Sequence, residues 1–411
     1  MTPQLLFCLF ITIIILEFLW DSYLDYLNAK HYNDPIPKPL EGIFDKEEYL
    51  KSQEYKYANY RFSIVSSFFS LTVLLIFFFL DGFAKIDMWI RTFTNDNILI
   101  SMLFIGTLLV ANTIISIPFA YYHTFVIEEK FGFNKSSKKI FWFDQLKSIF
   151  LLIVIGGGLL FAILWFYQNT GSLFWLYTWG LVALFAIFIN MFYSSLIVPL
   201  FNKQSPLEEG ELKDAIARFA QKVGFKLNAI YVIDGSKRST KANAYFSGFG
   251  PKKRIVLYDT LIKDLEIDEI VGVLAHEIGH YQKKHTLSNL MLSILTTGLT
   301  LYILSLFINS PLLAKALGVD IPGFHIGIIA FGILYGPISG ITGLLMNILS
   351  RKFEYQADAY AKANYNSTSL ISALKKLSKN SLSNLTPHPL YVFVHYSHPS
   401  LLQRIIRLSD K

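Results

Sequence analysis

The chain has 411 residues, 53% of them hydrophobic and only 16% charged, with a mean hydropathy of +0.42. That is too apolar for an ordinary soluble domain, and the single cysteine, Cys8, excludes an internal disulfide framework or a thiolate metal site. The net charge of +7 would admit a nucleic-acid partner, but its placement along the chain argues against nucleic acid and for orientation in a lipid bilayer.

A bilayer core takes about 20 apolar residues of helix. Seven segments qualify, at 3–20, 62–80, 98–122, 148–167, 172–198, 286–308 and 323–349. The first is short and carries Glu17, yet lacks the basic flank and small-residue cleavage site of a removable leader, so it reads as a retained anchor. Seven spans put alternate connections on opposite sides. The N-terminus and the connections near 81–97, 168–171 and 309–322 carry 3 of the 37 Lys and Arg residues; the other side carries 34. The short loops 21–61 and 123–147 alone contribute 11, so the rich side is expected to be cytoplasmic.

The expected organisation is an N-terminal membrane region over 1–198, a cytoplasmic block over 199–285, two further spans over 286–349 and a C-terminal segment over 350–411. Within the cytoplasmic block, 211–223 reads as an amphipathic helix, 229–233 and 254–258 as short strands, and 268–285 as a helix with acidic residues first and basic ones last. The tail from Arg351 to about Lys379 is helical by periodicity.

The strongest chemical signal is His276-Glu277-Ile278-Gly279-His280. Residues i and i+4 share a helix face, so both imidazoles can hold one Zn²⁺, with Glu277 placed to take a proton from water at the open position. From this chain's own usage, H-E-x-x-H arises by accident with a probability of about 0.007. Catalytic zinc takes three protein ligands. The histidine of a metzincin is missing, since Thr286 stands where it would fall, and His285 lies off the ligand face as a helix-end or interface residue. Glu354 is the candidate third ligand, on what reads as a second helix just past the seventh span. Asp358, four residues on, could accept the free N–H of a ligand histidine. The alternative is a solvated acidic pair among Arg351, Lys352 and Lys362. His398, before Pro399 and near Arg404, is a candidate oxyanion donor, or else a residue preceding a helix-opening proline. Asn243-Ala244-Tyr245-Phe246 is a candidate sheet edge for an extended substrate, or an ordinary half-buried hairpin.

Other features invite a blander reading. Gly332, Gly336 and Gly340 fit close helix packing, and Lys252-Lys253-Arg254 a solvated or lipid-facing loop. Glu17, Asn112, Asn190 and His325 fall in or near spans and are candidates to line an internal aqueous space.

Several stretches in one order carry a family resemblance: Phe44-Asp45-Lys46-Glu47-Glu48-Tyr49, Phe125-Val126-Ile127-Glu128-Glu129-Lys130-Phe131-Gly132-Phe133-Asn134-Lys135, Pro199-Leu200-Phe201-Asn202-Lys203, Asp234-Gly235-Ser236-Lys237-Arg238-Ser239, Asn243-Ala244-Tyr245-Phe246, the His276 helix, Arg351 to Asp358, and His398-Pro399. With them the chain resembles the type I CAAX prenyl proteases, integral-membrane zinc endopeptidases. The resemblance implies a mainly α fold of seven transmembrane helices enclosing a water-filled chamber, capped by a small α/β zincin-like domain. It implies one Zn²⁺ per chain on His276, His280 and Glu354, with His398 and Asn243 near the substrate and Asp358 and Arg404 behind the metal. It also implies a peptide or protein substrate, either losing its C-terminal tripeptide after a prenylated cysteine or degraded as a membrane-associated protein. The short connection 309–322, and Lys241-Ala242 where a His-Ser pair is common in the family, mark a compact, bacterial-type member acting in the inner membrane; a eukaryotic one would sit in the endoplasmic reticulum. The rivals are a site-2-type intramembrane protease and a non-enzymatic channel or scaffold with structural metal.

Overall fold

The computed structural model describes residues 2–226, 229–248 and 254–410. Within the hydrocarbon of a bilayer only a helix or a closed barrel satisfies its own backbone, and the apolar runs are helical. Seven helices are long and apolar enough to cross: Pro3–Lys30, Lys46–Phe79, Asn97–Glu128, Lys138–Asn169, Gly171–Phe201, His285–Phe307 and Phe324–Asn364. Polar caps fix where several begin. Thr2, Asp96 and Ser137 each accept a backbone N–H of the first turn, and Asp45 and Glu48 form a reciprocal capping box. The third helix carries Pro118 and ends in a π turn over His123–Glu128.

Most of these helices overrun their apolar segments, and the last does so decisively. Phe324–Asn364 is one unbroken helix of 41 residues, so Glu354 and Asp358 lie on an extension of the seventh span, not on a second helix after it. The boundary expected at 349/350 falls inside this helix. No Gly or Pro follows Leu349 before Asn364, and propensity carries the helix on after hydropathy ends. The tail does break at Tyr365, before the helix Ser367–Asn380 begins.

Packing is concentrated at the two ends of the bundle. At the end bearing the connections 81–97 and 309–322, Phe10, Phe83, Ile90, Phe104 and Ile326 form a core with the short helices Gly82–Arg91 and Pro311–Ala316. At the other end, Leu40, Phe44, Phe131, Phe133 and Ile405 form a second. Between them the spans are bare. The second helix buries nothing between Lys56 and Phe78, the third nothing between Phe104 and Ile127, and the seventh nothing between Phe331 and Glu354. Apart from local contacts, such as Phe62 and Phe69 against Phe119 and the Thr300 hydroxyl against that of Tyr335, these middle stretches face lipid or an internal space, the arrangement of helices around a chamber. Gly332 and Gly340 are therefore not packing contacts: an added Cβ at either meets no atom within 4 Å, and only Gly336 is covered, by Glu17. His325 also departs from expectation. It is buried, hydrogen-bonded to Ser101 at 3.0 Å and Asp87 at 2.9 Å, and belongs to the packed end.

The polar block after the fifth span holds a four-stranded sheet. β1 (Gln204–Pro206) runs antiparallel to β2 (Ile230–Ile233), β2 parallel to β4 (Arg254–Tyr258), and β3 (Ala244–Ser247) antiparallel to β4. The cluster of Lys252 and Lys253 lies outside the described residues, and Arg254 opens β4. Leu257, Leu261, Ile270, Leu274 and Ile278 pack this sheet and the helix Ile267–Gln282 against Leu370 and Ala373.

The stretches that carry the family resemblance bind this block to the spans. Lys241, just before β3, gives its Nζ to Glu128 at 2.8 Å and to the Tyr55 hydroxyl at 2.9 Å, and lies over the Phe133 ring. Arg238 pairs with Asp144 through two nitrogens at 2.8 and 3.0 Å. The lysine that departs from the family pattern is thus a structural tie.

Candidate metal centre and substrate cleft

The helix Ile267–Gln282 opens with a capping box between Glu266 and Glu269, and Glu269 accepts bonds from Ser372 and Lys376. Two glycines let it come very close to its neighbours. A Cβ on Gly272 would lie 3.1 Å from the Leu370 nitrogen, and one on Gly279 3.1 Å from Cα and O of Ala357. Gly279 sits one residue before His280, and Ala357 one turn after Glu354. The close crossing therefore brings the two imidazoles onto the carboxylate.

The three candidate ligands converge. His276 Nε2 and His280 Nε2 are 3.1 Å apart, and the Glu354 oxygens lie 3.4 Å from the first and 3.2 Å from the second. Metal–ligand bonds of about 2.1 Å give a tetrahedron with edges of about 3.4 Å, so these separations fit one zinc-sized ion. Glu354 Oε2 is buried and makes no hydrogen bond; its nearest nitrogens are His276 Nε2 at 3.4 Å and Arg404 Nη1 at 3.7 Å. Unmet buried acceptors are rare, and a cation resolves this one.

Behind the histidines lie their supports. His276 Nδ1 is 2.9 Å from Asp358 Oδ1, and Arg404 grips that carboxylate at 2.9 and 2.6 Å. Burial by itself would pull the His276 pKa down; the adjacent carboxylates of Asp358 and Glu354 outweigh it and hold the imidazole up at about 9. His285, expected off the ligand face, touches the site after all. A left-handed Lys284 (φ 58°) breaks the helix after Gln282, and His285 starts the sixth span turned back onto His280, with the two Nδ1 atoms 3.1 Å apart.

The site opens into a cleft of about 350 Å³. Asn243, Ala244, Tyr245, Phe246, His276, Glu277, His280, Glu354, His398 and Arg404 all line it, with Asp358 directly behind. His398 Nε2 lies 3.2 Å from Glu354 Oε1, and its side chain is 64% exposed. Arg351, bonded to the carbonyls of Val392 and Tyr396, and Asn347, bonded to that of Val394, hold the approach to His398 in place. The opposite wall, Leu370, Leu374 and Leu377, has no counterpart in the sequence reading. Its i, i+4, i+7 spacing marks an apolar helix face but not what that face covers.

β3 is an edge strand, and among the described residues one side of it is unpaired. Its register sets Ala244 opposite Leu257 and Tyr245 opposite Val256, and Tyr258 N–H donates to the Asn243 carbonyl. By antiparallel alternation Ala244 and Phe246 then turn their N–H and C=O groups away from β4. The Ala244 N–H is held by Asn243 Oδ1 at 2.8 Å.

Two imidazoles and a carboxylate around one point, with a spare glutamate and an open strand edge beside them, define a metallopeptidase, here mounted on a seven-helix membrane bundle. Comparison with known proteins agrees. Residues 25–203 match the profile "CAAX prenyl protease N-terminal, five membrane helices", and residues 206–411 that of peptidase family M48. CAAX prenyl protease 1 of Saccharomyces cerevisiae is 36% identical, over 96% of this chain and 93% of its own. The homologue in Homo sapiens is 31% identical, over 94% and 92%. The crystal structure of S. mikatae Ste24p superposes with a TM-score of 0.94 at 36% identity, covering 98% of this chain and 99% of that one. The chain belongs to peptidase family M48, in its CAAX prenyl protease branch, and is a multi-pass membrane metallopeptidase acting on peptide or protein substrates.

Proposed function

We propose that one Zn²⁺ per chain is held by His276, His280 and Glu354, and that this centre hydrolyses a peptide bond near the C-terminus of a prenylated, membrane-associated substrate. The observation that carries the proposal is the convergence of three ligand atoms, one of them buried without a hydrogen bond, on the cleft shared by Glu277 and the β3 edge. When bound, the ion supplies Lewis-acid polarisation of the scissile carbonyl and acidifies water beside it. Glu277 takes the proton from the attacking water as its oxygen adds to the carbonyl carbon. It passes that proton to the departing nitrogen as the C–N bond breaks. His398, held on the open side of Glu354, donates to the developing oxyanion. Substrate lies as an added strand along Ala244–Phe246, with Asn243 Oδ1 giving up the Ala244 N–H so that a substrate carbonyl can take it. Asp358 and Arg404 fix the His276 ring.

The basic side of the bundle supports a cytoplasmic site: in a bacterium at the inner face of the inner membrane, in a eukaryotic cell on the endoplasmic reticulum. The proposed working units are the membrane region 1–198 with the spans of 286–349, and a catalytic block of 199–285 completed by 350–411. Removal of the C-terminal tripeptide after a prenylated cysteine is the proposed reaction, following the names of the relatives.

The test is mass spectrometry of products from matched farnesylated and unmodified CAAX-type peptides. Wild type is expected to release the tripeptide from the farnesylated peptide at least about tenfold faster, and Glu277→Ala to bind zinc while losing about 10²–10⁴ in rate. Equal cleavage of both peptides removes the prenyl specificity, and an active Glu277→Ala removes the assigned base.

A further inference from the structure

Resting on the metal site just described, we propose that His285 and Gln356 form a positioning relay that sets the proton arrangement of His280 and presents its Nε2 lone pair to the metal. The contacts settle the direction of each bond. Gln356 offers its carbonyl Oε1 at 2.8 Å from His285 Nε2, so Nε2 carries a proton and donates it. A neutral imidazole protonated at Nε2 has Nδ1 as an acceptor. His285 Nδ1 therefore accepts from His280 Nδ1–H across 3.1 Å. With its proton committed to Nδ1, neutral His280 leaves Nε2 bare, facing Glu354 and His276. Without the relay either nitrogen of His280 can carry the proton, and the ring can rotate.

His285 is rigid enough for this task. It is 2% exposed, and its ring stacks on Phe353 with centroids 4.2 Å apart and planes 12° from parallel. The arrangement gives the long seventh helix three duties within one turn and a half. Glu354 ligates, Asp358 supports His276 directly, and Gln356, on a different flank, supports His280 through His285. The two supports differ in charge: an ionised carboxylate faces one histidine and a neutral amide stands behind the other. The first residue of the sixth span thereby joins the metal centre to a membrane helix.

The experiment is zinc affinity of the full-length, detergent-purified protein, measured by competition with a chromogenic chelator, with peptide hydrolysis at saturating zinc as a second readout. His285→Leu is expected to weaken zinc binding about 10–100-fold and to lower kcat with KM unchanged. Gln356→Met should act in the same direction, and the double variant should be no worse than His285→Leu alone, because the two residues act in series. Gln356→Glu, which still accepts the same proton, should stay within about threefold of wild type. Wild-type affinity in His285→Leu, or additive losses in the double variant, overturns the relay. If His285→Leu does not fold, wild-type affinity in Gln356→Met does so by itself. His276→Ala separates the two levels: if it too leaves zinc binding unchanged, the metal site itself is wrong, whereas loss in His276→Ala beside wild-type binding in His285→Leu sinks the relay alone.

Discussion

Gly279→Ala puts the geometry of the centre under direct strain. The added methyl would stand 3.0 Å from Tyr360 Cβ and 3.1 Å from both Cα and O of Ala357. Carbon atoms rest at about 3.5–4.0 Å, and two of these neighbours are backbone atoms of a 41-residue helix that cannot swing aside. The crossing must open by about half an ångström. Overpacking of this kind costs about 1–3 kcal/mol, while replacing a mid-helix glycine returns about 1 kcal/mol. Net stability should therefore fall by about 0–2 kcal/mol, and the protein should fold. The metal centre should suffer much more. Glu354 lies one turn from Ala357 and moves with it, stretching ligand separations of 3.2 and 3.4 Å past the zinc-tetrahedron edge of about 3.4 Å. Zinc affinity should drop at least about tenfold and kcat/KM about 10–100-fold. Thermal unfolding in detergent, chelator competition and peptide hydrolysis read the three quantities. Gly340→Ala, with no atom within 4 Å, is the control expected to keep wild-type zinc affinity and activity while gaining up to about 1 kcal/mol in stability. A Gly279→Ala protein with wild-type zinc affinity and activity would refute the claim that this helix crossing sets the ligand geometry.

Three further outcomes follow from other contacts. Ala244→Pro removes an outward N–H that the β3–β4 ladder does not use, so unfolding should be nearly unchanged while KM for an extended peptide rises about tenfold, the worth of one hydrogen bond; an unaltered KM would mean that substrate does not pair with this edge. Lys241→Met should cost about 1–2 kcal/mol by releasing Glu128 and Tyr55, seen as a lower Tm with zinc affinity retained, and an unchanged Tm would deny the tie. Burial alone would raise the Glu269 pKa, but Lys376, Ser372 and the Glu266 amide hold it below the usual 4.5. A depressed pKa contributes stability above the unfolded value and loses it as pH falls through the folded one. Glu269→Gln should thus be less stable than wild type by about 1–2 kcal/mol at pH 7, with the gap closing below about pH 4; a gap that persists in acid contradicts the assignment.

Much of this molecule was legible in its residues, for identifiable reasons. Lipid imposes a strong length-and-hydropathy rule, so all seven spans stand close to their expected positions. The His276–His280 spacing is a local property of a helix, and Glu354 with Asp358 four residues on is another, so each half of the proposed centre could be read in isolation. What could not be read is how the halves meet. Hydropathy locates the edge of the membrane but not the end of a helix, which is why the continuity through Leu349 to Glu354 was missed. His285 was set aside because helical phase places it off the ligand face. The left-handed turn at Lys284 resets that phase, and nothing in a lysine announces a positive φ. Gln356 and the Leu370–Leu377 wall acquire meaning only from partners 71 or more residues away or from packing around a cavity. Lys241 looked like a departure marking a bacterial-type member and is a strut between Glu128 and Tyr55.

The unbroken seventh helix has a mechanical consequence. At 1.5 Å per residue it is about 60 Å long, twice the hydrocarbon thickness of a bilayer, and it carries the proposed metal ligand Glu354 toward its far end. Glu354 stands about 26 Å beyond Pro337, the natural pivot within the span. On a lever of that length one degree of tilt displaces the carboxylate by about half an ångström, as much as the Gly279 methyl would. Helices adjust to a thinner or thicker membrane by tilting. Turnover should therefore register the acyl-chain length of the surrounding lipid, passing through a maximum between short- and long-chain phosphatidylcholine vesicles. A rate indifferent to chain length would mean that the helix bends at Pro337 and spares its far end.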